Sequence, residues 1–118
     1  MNTAITIFRQ SFIPLCLLLV QPAWAQNAIE ALGVSQQGSD ILVKLTTSQP
    51  LASAPASFSV ANPPRIAFDF PGVKNALGRN SQTVNEGDLR SVSLVQVGDR
   101  TRVVLNLRQV RQATTRIE

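Results

Sequence analysis

Apolar and polar positions alternate with a period of two over most of the chain beyond residue 26. Residues 40–46 read DILVKLT, with Ile41, Val43 and Leu45 on one face and Leu42, Lys44 and Thr46 on the other. Residues 65–70 read RIAFDF and place Ile66, Phe68 and Phe70 opposite Arg65, Ala67 and Asp69. Residues 101–107 read TRVVLNL and place Val103, Leu105 and Leu107 opposite Arg102, Val104 and Asn106. Such alternation, rich in β-branched and aromatic residues, is the signature of half-buried strands. Weaker strands are expected over residues 29–36, where Leu32 and Val34 share a face, and over 57–60, where Phe58 and Val60 do. Residues 81–84 are marginal. Residues 89–97 change phase: Val92 and Leu94 alternate, then Val95 and Val97, which predicts a β-bulge near Leu94-Val95. The core expected from these stripes is Ile41, Val43, Leu45, Phe58, Ile66, Phe68, Phe70, Val103, Leu105 and Leu107.

Turn residues punctuate the same pattern. Gly38-Ser39 and Gly98-Asp99 sit between strands as tight hairpin turns, where glycine supplies a positive φ. Asn62-Pro63-Pro64 forces an extended lead into the Arg65 strand, because residues before proline avoid the helical region. Pro71-Gly72 ends that strand, and residues 73–80 read as a loop or a short helical turn. Seven short strands with frequent turns predict an all-β sandwich or partial barrel.

The first 25 residues do not share this pattern. Arg9 is the only charge before Glu30, the apolar run SFIPLCLLLV spans 11–20, and Ala23-Trp24-Ala25 follows Gln21-Pro22. A charged start, a short apolar run and a small-x-small site form a secretory leader. Cleavage is expected after Ala25, leaving Gln26 first and a domain over 26–118. The run is far shorter than the roughly 20 residues of a spanning helix, so no membrane span is expected in the mature chain. Leu15 before Cys16 does not fit a lipoprotein site. Cys16, the only cysteine, leaves with the leader, so the mature chain would have no disulfide and no thiolate ligand.

Composition narrows the chemistry further. The chain has 11 basic and 7 acidic residues and no histidine or tyrosine. Nearly all the positive charge lies from Arg65 onward. A weak positive field favours anionic partners such as wall polymers, headgroups or nucleic acid. Without a dense basic block interleaved with aromatics, nucleic acid is not the expected partner. Without histidine or mature cysteine there is no Ser-His-Asp triad, no thiolate nucleophile and no histidine metal site. Glu86 and Asp88, two apart in a Gly87 turn, are the nearest thing to a carboxylate pair, and turn carboxylates usually cap or face water. The chain is therefore expected to be no enzyme and to bind neither cofactor nor metal.

Residues 56–70, ASFSVANPPRIAFDF, followed by Pro71-Gly72, resemble the AMIN domain, whose pattern is proline, arginine, alternating apolar residues, aspartate, apolar residue and proline. The runs NEGDLRSV over 85–92 and GDRTRVVLNL over 98–107 fit as well, and 27–46 matches the opening hairpin. In detail these runs look like the first such domain of a type IV pilus secretin. The resemblance implies a small β-sandwich of two antiparallel sheets, placed in the periplasm at the cell wall or an outer-membrane complex. It implies peptidoglycan as partner, with other pilus or outer-membrane assembly proteins beside it. Arg65, Asp69, Arg90 and Arg102 fall on the family's recurrent polar positions, and Arg100 shares a strand face with Arg102, so these five are the candidate wall-binding residues. Arginine suits the carboxylates of wall peptides because its planar fork donates two parallel hydrogen bonds. The same residues can equally be cross-strand ion pairs that hold register.

A secretin continues into further domains and a barrel, and the residues after Leu107 are too few for either. The chain thus reads as the front of a longer gene or a shortened frame, and its last residues, 115–118, as the start of a strand. Two other roles fit the same residues. One is an adaptor that meets a periplasmic protein through an outer strand face bearing Leu42 and Val104. The other is the targeting part of a wall amidase, since AMIN domains also precede such enzymes.

Overall fold

The computed structural model describes residues 26–118. The expected leader over 1–25 and its cleavage point after Ala25 lie outside the described residues.

Eight strands and no helix make up the described chain: β1 (Asn27–Gln37), β2 (Asp40–Thr47), β3 (Ala56–Ala61), β4 (Pro64–Pro71), β5 (Val73–Asn75), β6 (Ser81–Glu86), β7 (Leu89–Val97) and β8 (Arg100–Leu107). They form two sheets. The larger has the order β3-β4-β8-β7-β6 and the smaller β2-β1-β5. Every neighbouring pair in the larger sheet is antiparallel. In the smaller, β1 and β2 form an antiparallel hairpin, and the three-residue β5 adds itself parallel to the start of β1. The fold is the expected all-β sandwich, with one short strand more. That strand takes part of the segment read as a loop or helical turn, and its single buried apolar side chain, Val73, left little pattern to read.

Alternation holds the sheets together. Ile66, Phe68 and Phe70 of β4, Val92 and Leu94 of β7, and Val103, Leu105 and Leu107 of β8 are buried in one cluster with Ile29, Val73 and Leu89. From the smaller sheet, Leu32, Val34, Ile41, Val43 and Leu45 pack against it, half-buried. Fully removing a side chain of this size from water stabilises the fold by about 1.5–3 kcal/mol before entropy is counted, and the half-buried ones contribute less. Thr101 is the one buried polar side chain among the described residues. Its hydroxyl donates to the Val73 carbonyl at 2.7 Å, which ties β8 to β5. Gly87, in the β6–β7 turn, has φ of +55°, and a Cβ there would lie 3.0 Å from Ile41 Cδ1. The positive φ favours glycine at that point, and a larger residue would also press on Ile41 of the facing sheet.

Three expectations are corrected. The irregularity in β7 lies between Leu89 and Ser91, at Arg90, and not at Leu94-Val95. Leu89 and Val92, three apart, both face the core because of it, whereas Val95 and Val97 remain on the outer face, 48% and 63% exposed. Phe58 is not in the core. It lies opposite Ala67, a residue of the outward stripe of β4, and is 43% exposed. Its strand, β3, is an edge strand whose inward positions carry only Ser57, Ser59 and Ala61. Residues 115–118 form no strand; they are exposed and have no ladder partner. The chain leaves β8 through Arg108, whose amide donates to Asp88 O at 2.7 Å. Arg111 then bridges Asp88 at 2.7 Å and the Ser39 carbonyl at 3.3 Å, linking turns of the two sheets.

Candidate functional site

The outer face of the larger sheet is built by the residues that alternation turns away from the core. Read across the strands, Ala56, Asp69, Arg102 and Val95 stand in one row, and Pro71, Arg100 and Val97 in the row beyond it. On the other side come Phe58, Ala67, Val104 and Ser93, then Val60, Arg65, Asn106 and Ser91. One end of the face therefore carries Arg100, Arg102 and two valines, and the other mixes apolar side chains with Arg65, Asn106, Ser91 and Ser93. At the polar end Asn106 Nδ2 donates to both Ser91 Oγ and Ser93 Oγ at 3.1 Å.

The five candidate residues divide between these ends. Asp69, Arg100 and Arg102 come together on neighbouring strands. Arg65 lies four residues up β4, about 13 Å along a strand rising about 3.3 Å per residue. Arg90 occupies the irregularity of β7 beside the Arg65 row. The structure does not gather all five into one site.

Asp69 and Arg102 form a two-pronged pair, Nε to Oδ1 at 2.8 Å and Nη2 to Oδ2 at 3.1 Å. Arg102 lies across β4 with its guanidinium carbon 4.8 Å from the centre of the Phe58 ring. The hydrogen bonds from Arg102 hold the Asp69 carboxyl below its ordinary range; partial burial opposes this, and the charges of Arg102 and Arg100 add to it. The same bonds raise the Arg102 guanidinium above its ordinary value, against partial desolvation. This pair is the register-holding bridge that the strand pattern allowed, so Asp69 offers little free acceptor capacity to a ligand. Arg100 is different. Among the described residues its side chain makes no hydrogen bond or ion pair, and only its field reaches Asp69.

Two open grooves flank Arg100. One, of about 360 Å³, runs between the 51–56 loop and the ends of β4 and β5. The other, of about 520 Å³, is bounded by Val95, Val97, Arg100 and Arg102. Sequence reasoning missed Phe58, Val95, Val97 and the 51–56 loop as members of this surface. The valines were legible: carrying the Val92–Leu94 alternation forward without a break puts both on the outer face. Among the described residues no group of three or more histidine, cysteine, aspartate or glutamate side chains could hold a metal ion. No helix among them is long and apolar enough to cross a membrane.

A two-sheet β-sandwich with a basic, partly apolar outer face is the class of protein these observations define. The family model of the AMIN domain matches residues 32–118, and the chain belongs to that family. It is similar to the fimbrial assembly protein PilQ of Pseudomonas aeruginosa, at 37% identity over 107 residues. That alignment covers 90% of this chain but 15% of the relative, so the chain spans about a seventh of that protein's length. No solved structure matches.

Proposed function

We propose that this chain is a non-catalytic peptidoglycan-binding module of the kind found at the front of a type IV pilus secretin. It acts in the periplasm after export and removal of residues 1–25, and helps anchor a pilus-assembly complex in the wall. The observation that carries this reading is the Arg100 end of the outer face, where an arginine without an ion-pair partner stands among exposed valines on an AMIN fold. Family membership and the likeness to a fimbrial assembly protein support the setting.

The test is sedimentation of the exported protein with insoluble peptidoglycan, beside an unrelated folded protein of equal charge. The protein should pellet with the wall more than the control does. Arg100→Ala/Arg102→Ala should pellet less while keeping its β-type circular dichroism. Exposed charges are screened over about 8–10 Å at ordinary ionic strength, so added salt should weaken binding. Pelleting no better than the control would remove the wall-binding reading.

The exposed side chains of Phe58, Val95 and Val97 favour a second reading, an adaptor that packs this face on a protein. Exposed apolar clusters mark such interfaces. Failure on peptidoglycan together with capture of a pilus-assembly protein would select it.

A further inference from the structure

We propose that Arg100 is the centre of a carboxylate site that grips the peptide arm of the wall polymer, not its sugar strand. This rests on the wall-binding reading above and says which part of the polymer the face holds.

Arg100 lines both grooves, so a ligand lying along the face passes over it whichever groove it fills. Its neighbour Arg102 gives its fork to both oxygens of Asp69. That pairing neutralises the one carboxylate in these rows and leaves the guanidinium of Arg100 as the surplus charge. A free guanidinium presents parallel donors that match a carboxylate. Both grooves offer small apolar side chains beside polar ones: Ala52, Ala54 and Pro55 with Ser53 and Asp69 in one, Val95 and Val97 with Arg102 in the other. They fit methyl-sized side chains on an extended backbone. Short alanine-rich peptides with free carboxylates, which wall polymers carry, have this combination. A sugar strand needs an open aromatic face or a set of free hydroxyl partners. Phe58 has Arg102 over its ring, and the serines at the far end already share Asn106. The Arg100 end supplies neither.

The experiment presents the exported protein with four probes: intact peptidoglycan, glycan strands stripped of their peptides, free-acid peptides released from the wall, and the same peptides converted to carboxamides. An unrelated peptide ending in a free carboxylate is the comparison. Binding is read by sedimentation for the polymers and by amide chemical shifts for the peptides. Intact wall should pellet the protein and stripped glycan should not. Free-acid wall peptides should shift resonances in residues 52–56 and 95–102, and carboxamides should not. Arg100→Gln should weaken peptide binding about tenfold or more, the cost of one charged hydrogen-bonded contact. Arg100→Lys, which keeps charge but not the fork, should fall between, and Lys44→Gln, which removes an exposed cation on β2 of the other sheet, should bind as the wild type does. Resonance dispersion shows whether each variant is folded. Equal pelleting by stripped and intact wall, or an unaffected Arg100→Gln, overturns the peptide site and leaves wall binding standing. No pelleting by intact wall overturns the wall reading and this one with it. Equal affinity for the unrelated peptide overturns the wall as the source of the carboxylate.

Discussion

The inner and outer faces of β4, β8 and β7 come from the same residues of sequence, offset by one, yet obey different rules. Inside, Ile66, Phe68, Phe70, Val92, Leu94, Val103 and Leu105 make one continuous apolar layer, ending at its edge in the polar pair Thr101 and Gln96. Outside, the positions are mixed: Arg100, Arg102, Asp69 and two valines at one end, and Arg65, Asn106 and two serines among apolar side chains at the other. The buried part of the inner face must exclude water to be stable, so its positions are constrained in kind. The outer face has no such demand. An apolar residue left exposed on it, such as Val95 or Val97, is therefore more informative than any buried one. The contrast predicts that substitutions inside will read out as stability and those outside as binding.

The largest expected effect comes from the inner layer. Phe68→Ala should destabilise the domain by about 3–5 kcal/mol, the usual cost of deleting a buried phenylalanine. Thermal or urea unfolding measures it. Phe58→Ala, the same change on the outer face, should cost far less; equal losses would mean the two faces do not differ as described.

The next effect tests the polar interruption of the inner layer. Thr101→Val keeps the shape but removes the hydroxyl that donates to the Val73 carbonyl. A buried group left without its partner costs about 1–3 kcal/mol. The loss should appear in unfolding experiments, with amide exchange of β5 rising first, because that hydroxyl helps hold the three-residue strand in place. A neutral change would show that β5 is held by its pairing with β1 and its bond to Gln96.

Most of the inner face was legible in the sequence, and most of the outer face was not, for a physical reason. Strong alternation in 40–46, 65–70 and 101–107 fixed the strands and their buried sides, because burial leaves an apolar residue at every second place. In β3 that logic failed. A short edge strand buries neither face fully, so Phe58 and Val60 could be assigned inward or outward by pattern alone, and Phe58 went to the wrong side. In β7 two exposed valines imitated a change of phase, while the true irregularity at Arg90 left only the Leu89–Val92 spacing as its trace. β5 owes its existence to a parallel partner more than forty residues away, which local pattern does not record. The candidate residues fared similarly. Arg100 and Arg102 could be put on one face from their spacing. That Asp69 would be taken by Arg102, and not by Arg65 or Arg100, required knowing that β4 lies beside β8 in the register pairing Asp69 with Arg102.

A smaller stability effect sharpens the outer face. Val95→Ser/Val97→Ser removes its apolar wall without touching the core, and such surface changes usually shift stability within about 0.5 kcal/mol. The melting point should scarcely move, whereas wall binding should fall. A clear loss of stability would mean that these valines are structural and that the groove is not an available surface.

The smallest effect concerns the Asp69–Arg102 pair and should be seen best by titration. In the folded protein the Asp69 carboxyl is held below its ordinary range, chiefly by hydrogen bonds from Arg102. A depressed carboxyl pKa stabilises the fold at pH values above its unfolded pKa, and the contribution is lost as pH falls through the folded pKa. The pair should therefore be intact at neutral pH and weaken only in strong acid, below the range where exposed aspartates titrate. Carboxyl-detected NMR should find Asp69 titrating below the ordinary aspartate range. In Arg102→Ala its midpoint should rise, because the hydrogen bonds are gone while the partial burial remains. Arg100→Ala should raise it less, since Arg100 acts on Asp69 only through its field. A midpoint unchanged by Arg102→Ala would mean the fork is not formed in solution. Asp69 would then be free to neutralise Arg100, and the surplus positive charge at this end of the face would have to be reassigned to Arg102.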